Sequence, residues 1–319
     1  MRATTTLAPV RPLDEQLYET MLLIRMFEQR VLDEFPTGVF SGTTHTYLGQ
    51  EADAAGVIAH LDHHDLVVSN HRCHGHFLAY GGDPRALFAE MMGRATGVCG
   101  GLGGSQHLKW KGFLSNGILG STVPVATGMA LAEQAQGSGA VTVAFLGDGA
   151  LGEGVVYESL NLASLWGAPV LFVLEDNAIA QTTPAAHAVA GSMAGRFEAF
   201  GIETTELDTS DVREIHAEAG RVLTEVRATG SPRALVLHTC RFGPHSKGDD
   251  TRPADDVARM MAQRDPVAIH AGRLDPDARR MIEAEVTDRV DQAFRQSLDD
   301  PEPAAQPAPA ELTATAKAP

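Results

Sequence analysis

The sequence predicts an α/β fold, a mostly parallel sheet with helices on both faces and helical extensions at both ends. Short apolar runs near 65–70, 140–146, 170–174, 202–207 and 234–239 alternate with segments of helical period. Ala140–Leu146 and Val170–Leu174 are apolar on both faces, as a strand covered on both sides must be. Polar clusters follow these runs, at the carboxyl ends where open α/β sheets bind ligands.

Composition bounds the rest. The chain has 319 residues, 44% of them hydrophobic, which is ample for a packed core. Its 25 basic and 41 acidic residues give a net charge of −16, which argues against nucleic acid and against an anionic membrane surface. Cys73, Cys99 and Cys240 are odd in number and lack zinc spacing, which fits reduced thiols and a cytoplasmic location. No apolar run approaches the ~20 residues of a membrane helix. Residues 1–12 lack an apolar signal core, and residues 301–319 are rich in Pro and Ala. Both ends are expected to be disordered, leaving 13–300 as the folded domain.

Along the chain, Leu17, Met21, Ile24, Phe27, Val31 and Phe35 recur at helical spacing, and Pro36-Thr37-Gly38 stops that helix. Val39–Tyr47 is a polar loop carrying His45, and Gly49–Leu61 a helix of small residues. The strand Leu66–Ser69 ends in Asn70-His71-Arg72-Cys73-His74-Gly75-His76. Arg72 offers a planar fork to a phosphate, and His74 titrates in the range useful for proton transfer. A zinc site from His71, Cys73 and His74 is disfavoured, because the three crowd one another and no distant CxxC completes a tetrahedron. Asp83-Pro84 opens a helix that runs to Gly93. The glycine-dense loop Gly97–Gly104 implies close backbone approach or a mobile flap, and Ser105-Gln106-His107 follow it. Asn116–Gly120 turns into the helix Val123–Gln136.

The stretch Ala140–Pro184 organises the chain. A buried strand meets the sharp turn Gly147-Asp148-Gly149, a helix runs to Trp166, and Gly167-Ala168-Pro169 stops it. The next strand ends at Glu175-Asp176-Asn177. One reading takes Gly147–Gly152 as a G-x-G-x-x-G dinucleotide fingerprint. The other pairs Asp148 with Asn177, and with the Ile179 carbonyl, as the protein's share of a Mg²⁺ shell completed by diphosphate oxygens and water. Asp148 favours the metal reading, since a carboxylate in the turn repels a bare pyrophosphate.

Ala185–Gly201 is expected to be a loop with a short helix, and Glu203–Leu207 a weak strand. Asp208–Ser210 caps a helix bearing Val212, Ile215, Ala219, Val222 and Val226. The strand Ala234–Thr239 leads into the polar loop Arg241–Asp250, which holds His245. Asp275-Pro276 starts a final helix to about Ser297, with Ile282, Val286, Val290 and Phe294 on one face.

Gly147-Asp148-Gly149 with Asn177 some thirty residues on resembles the thiamine-diphosphate motif. TTHTYLGQE (43–51), NHRCHGHFL (70–78), GGLGGSQH (100–107) and RFGPHSKGDD (241–250) resemble the α subunit of the two-chain E1 component of 2-oxoacid dehydrogenase complexes. The resemblance spans roughly Leu17–Asp299 and implies the thiamine-diphosphate-binding fold with thiamine diphosphate and Mg²⁺ as cofactors. It implies that Asp148, Asn177 and the Ile179 carbonyl hold the metal, with Gly149 and Ala150 beside them. Arg72, His71 and His245 would meet the diphosphate, and Gly117 and Leu119 the pyrimidine ring. His45, His74, His107 and His245 are the candidate acid–base groups. The activating glutamate would come from a β subunit in an α2β2 heterotetramer. The reaction implied is decarboxylation of a 2-oxoacid with acyl transfer to the lipoyl disulfide of a third protein, E2. The loop Arg241–Asp250 leans toward branched-chain relatives. Four departures stand out: His71 and Ile179 replace aromatics, Leu102 a basic residue, and Asp176 an asparagine. Acetoin dehydrogenase or acyloin carboligase chemistry uses the same site, while an NAD oxidoreductase and a non-catalytic scaffold are more remote.

Overall fold

The computed structural model describes residues 11–246 and 248–304. The chain begins with α1 (Leu13–Glu34), α2 (Glu51–Ile58), β1 (Leu66–Ser69), α3 (His74–Ala79) and α4 (Pro84–Met91). Short strands β2 (Lys109–Trp110) and β3 (Phe113–Ser115) precede α5 (Thr122–Gln136). Next come β4 (Thr142–Gly147), α6 (Gly154–Trp166), β5 (Val170–Asp176) and the small antiparallel pair β6 (Ile179–Ala180) and β7 (Thr183–Pro184). Helices α7 (Ala185–Ala188) and α8 (Met193–Glu198) lead to β8 (Glu203–Leu207), α9 (Val212–Thr229) and β9 (Arg233–His238). Helices α10 (Ala254–Arg264), α11 (Pro266–Ala271) and α12 (Pro276–Leu298) follow.

The main sheet has seven strands in the order β2-β3-β1-β4-β5-β9-β8, parallel throughout except for β2 against β3. Strand pleating explains its two-sided burial. Val143 and Phe145 of β4 pack into a core with α1, α2, α9 and α12, while Ala144 and Leu146 pack into a second core with α5, α6 and α8. This bears out helices on both faces. Because β1, β4, β5 and β9 run parallel, residues 70–72, 147–150, 175–177 and 239–245 gather at one edge.

Local chemistry sets the helix ends. Gly167 and Gly230 stop α6 and α9 in the left-handed conformation, with φ of +64° and +63°. Asp83 and Asp275 cap α4 and α12 by accepting from the N–H of Arg85 and of Asp277 and Ala278.

The structure corrects several expectations. Strands β2 and β3 were not anticipated, being two and three residues long. Asp211, rather than the stretch Asp208–Ser210, caps α9. Helices α10 and α11 fill a segment with no expected element, and Asp265-Pro266 repeats the Asp-Pro start seen at 83 and 275. Of the two readings of the glycine loop, the structure shows close backbone approach. The loop wraps Glu90, whose carboxylate accepts from the N–H of Cys99, Gly101, Gly103 and Gly104 at 2.6–3.2 Å. Leu102 projects from that loop, 71% exposed, so no buried charge partner is missing there. Of the ends expected to be disordered, residues 1–10 and 305–319 lie outside the described residues. Arg11 bonds Glu19 and Glu285, and the Pro301 carbonyl accepts from the N–H of Ala95 at 2.8 Å.

Candidate active site

At the carboxyl edge of β4, Gly147 ends the strand and Asp148–Gly152 forms a 3₁₀ turn. Helix α6 starts only at Gly154, so no helix N-terminus follows the strand directly, as a dinucleotide fingerprint requires. Asp148 is buried. Its Oδ1 accepts from the N–H of Gly149 at 2.9 Å, and its Oδ2 has no partner. Burial, reinforced by the nearby Asp176, pushes its carboxyl up to about 6.

Opposite it, β5 presents Asn177. Its Nδ2 donates to Gln50 Oε1 at 3.3 Å, and its Oδ1 accepts from the N–H of Ile179. Ala178 and Gln181 hold positive φ, +64° and +55°, and the tight β6–β7 pair lies between and after them. This strained turn brings Ile179 to the cleft wall. Asp176 turns away, with Oδ2 2.9 Å from His238 Nδ1 and Oδ1 accepting from the N–H of Ala178. His238 also meets Glu206, and these two carboxylates outweigh its burial and raise its pKa. Asp176 is thus paired with His238, while its charge still reaches Asp148.

Two guanidinium groups close the other side of the cleft. Arg72 is buried at the end of β1, and its Nη1 donates to the Thr46 carbonyl. Burial, and then Arg241, lower its pKa to about 10. Arg241 is buried after β9, and its Nη2 donates to the Gln181 carbonyl at 3.3 Å while its Nε has no partner. Asp250, on the same loop, is taken by Arg252. Like charges held together out of water call for an anion.

Beside them stand His45, His71 and His245. Ring centroids lie 4.7 Å apart for His45–His71 and for His45–His245, and 5.3 Å apart for His71–His245. Burial first, and then Arg72, lower all three, His45 to about 3 and His245 to about 4, so they are neutral at pH 7.

The cleft is about 300 Å³ in volume. It brings together His71, Arg72, Leu119, Asp148, Gly149, Ala150, Asn177, Ile179 and His245. Gly117 sits just outside, where an added Cβ would stand 2.3 Å from Gln106 Oε1. Its N–H donates to His107 Nε2 at 3.3 Å, so the exposed His107 braces the turn that carries Leu119. His74 is not at the cleft. Its Nδ1 lies 3.2 Å from both oxygens of Glu28, and its Nε2 lies 3.1 Å from the Ser105 carbonyl. Cys73 also turns to Ser105, so no His-Cys-His cluster forms there.

Sequence reasoning missed Gln50, Asn70, Glu153, Glu175, Gln181 and Arg241 as wall residues. Arg241 and Glu175 carried a signal, being charged groups directly after buried strands. Glu175 accepts from Tyr47 and meets His76 Nε2 at 3.2 Å.

Residues 18–306 match the family model described as dehydrogenase E1 component. The chain belongs to that family. The E1 chain is 36% identical over 308 residues to the alpha subunit of acetoin:2,6-dichlorophenolindophenol oxidoreductase from Cupriavidus necator, covering 92% of each chain. It is 37% identical over 301 residues to the pyruvate dehydrogenase E1 component subunit alpha of Zymomonas mobilis, covering 92% of this chain and 84% of that one. Against the same subunit from Rhizobium meliloti it is 36% identical over 302 residues, covering 91% and 87%. It is an alpha-type E1 subunit, an oxidoreductase of the 2-oxoacid dehydrogenase group that depends on thiamine diphosphate. The cleft fits that cofactor. Its partnerless groups are a carboxylate oxygen, an arginine Nε and two imidazole nitrogens, which suit a metal-bound diphosphate. Among the described residues no helix is long and apolar enough to cross a membrane.

Proposed function

We propose that this E1 chain is one half of a cytoplasmic 2-oxoacid decarboxylase, completed by a β subunit in an α2β2 heterotetramer and serving a lipoyl-bearing E2. The observation that carries the reading is the pair of buried guanidinium groups, neither in an ion pair among the described residues, facing the unsatisfied Asp148 across one cleft. Arg72 and Arg241 hold the diphosphate. Asp148, Asn177 and the Ile179 carbonyl hold Mg²⁺, with Gly149 and Ala150 supplying backbone beside it. Leu119 and Gly117 support the pyrimidine. Thiamine diphosphate, when bound, supplies the nucleophilic carbon and the sink for the electron pair released with CO₂. The chain's own contribution is electrostatic and positional. Neutral His71 and His245 line the side next to the arginines, with the buried His45 packed against both rings, available to hold or pass a proton. His74, fixed by Glu28, positions the segment that carries Arg72. The folded domain is assigned to 13–300.

The acyl-group chemistry has a second reading. The Cupriavidus necator relative, and a Bacillus subtilis relative 36% identical over 297 residues, are named for acetoin. A carboxylate-free substrate uses the same cofactor site. The deciding experiment reconstitutes the chain with its β partner, Mg²⁺ and thiamine diphosphate, with 2,6-dichlorophenolindophenol as acceptor. CO₂ release from pyruvate or a branched 2-oxoacid supports the main reading. Dye reduction with acetoin alone replaces it by the second, and failure to bind thiamine diphosphate in the assembled complex overturns both.

A further inference from the structure

We propose that His45, His71 and His245 form a site for a transition-series divalent cation, Zn²⁺ above all, separate from the Asp148–Asn177 site. Each histidine offers one ring nitrogen, and these three atoms lie within 4.8 Å of one another. Tetrahedral zinc at ~2.0–2.1 Å from each nitrogen needs them about 3.4 Å apart, so rotation of the rings by roughly an ångström closes the set.

The donors are free for it. Both nitrogens of His71 are shielded from solvent and have no hydrogen-bond partner among the described residues. His45 Nδ1 lies 3.3 Å from the side-chain amide of Gln106. Turning that amide so that its oxygen accepts from Nδ1–H leaves the Nε2 lone pair for a metal, the outer-shell arrangement of a ligating histidine. His71 and His245 line the open cleft, so a fourth position remains accessible.

The donor set decides which cation. Three imidazoles without a carboxylate suit zinc, and magnesium's demand for oxygen ligands is met instead at Asp148 and Asn177. Arg72 and Arg241 oppose a bare dication, whereas Asp249 favours positive charge at His45 and His245. The ion therefore enters with hydroxide or a buffer anion in its fourth position. The three ligands come from the loop before α2, the end of β1 and the loop after β9. Zinc thus clips three segments together on the diphosphate side of the cleft and competes with the cofactor for His245.

The test uses the full-length chain, stripped of metal, in excess Mg²⁺ and without thiamine diphosphate, so its outcome is independent of the substrate assignment. Titrated Co²⁺ reports the geometry, and Zn²⁺ is the competitor. The expected result is one equivalent of Co²⁺ with the intense visible absorption of a four-coordinate site, displaced by Zn²⁺. His71→Phe and His45→Gln each weaken binding at least tenfold, while Asp148→Asn leaves it unchanged. Circular dichroism checks that each variant folds, and His245→Gln replaces any that does not. Absence of a four-coordinate signal in the unaltered chain overturns the proposal. So does its survival in the histidine variants, or its loss in Asp148→Asn.

Discussion

Two buried carboxylates in this chain, Glu90 and Asp148, have opposite surroundings. Glu90 accepts from four backbone N–H groups of the glycine loop, two on each oxygen. Asp148 accepts from one, that of its own neighbour Gly149, and keeps an oxygen with no partner. The two share chemistry and burial. Satisfaction separates them, and it separates a structural staple from a binding site. An unmet buried acceptor costs about 1–3 kcal/mol, so it is retained where something outside the chain completes it. The glycines around Glu90 follow from the same logic. A Cβ on Gly97 would lie 2.5 Å from Glu90 Oε2, and one on Gly103 would lie 2.0 Å from the His107 carbonyl.

The contrast breaks most sharply at Asp148. Asp148→Asn should lower turnover of the reconstituted complex by roughly 10²–10³-fold, about 3–4 kcal/mol in the barrier. Thermal melting of the cofactor-free variant should match or exceed that of the unaltered chain, because a buried acid is removed. A clear loss of apo stability would put Asp148 with Glu90 as a structural group. Glu90→Gln inverts the pattern. Its amide NH₂ meets two inward-facing N–H groups, and denaturant melts should show about 2–3 kcal/mol lost before any effect on cofactor affinity.

Arg241→Met sharpens the comparison from the cationic side. Calorimetry should record at least a tenfold weaker thiamine diphosphate affinity, about 1.4 kcal/mol. The apo chain should be no less stable, since a buried like-charge pair is relieved. The smallest effect belongs to an ordinary surface cap. The guanidinium of Arg273, outweighing partial burial, holds the Asp211 carboxylate below its usual range while Asp211 caps α9. A depressed carboxylate contributes stability above its unfolded value near ~4, and that contribution disappears as pH falls through the lower folded value. Asp211→Asn should therefore flatten the acid limb of the stability–pH curve by under ~1 kcal/mol. An unchanged limb would remove the pair from the account.

The central strands were legible because burial on both faces leaves an uninterrupted apolar run, as in Val170–Leu174. Strands β2 and β3 were not, since Lys109-Trp110 and Phe113–Ser115 are too short to show a period and are fixed by pairing, β3 on β1 and β2 on β3. Helix α10 has no fully buried residue, so its pattern lacked a core face. At the site, the turn residues from Asp148 to Asn177 were readable because each lies on a strand end. His74 was misjudged because the sequence gives its type and not its direction, and Glu28, 46 positions away, decides that direction. Gln50 meets the cleft through tertiary folding, which no local spacing encodes, whereas Arg241 carried the signal of a charged group following a buried strand. His71 brings two ring nitrogens that have no hydrogen-bond partner among the described residues.

The buried pair of Arg72 and Arg241 also bears on the life of the protein in the cell. A ligand that binds only the folded form at a hundredfold over its dissociation constant adds about 2.7 kcal/mol of stability. An E1 chain synthesised faster than thiamine diphosphate is supplied lacks that increment and spends more time open to proteases. Chain abundance should then follow vitamin supply through turnover alone, with no regulator of transcription. A pulse-chase in thiamine-starved and thiamine-replete cells reads this directly, and equal half-lives would show that the partner subunit already protects the empty chain.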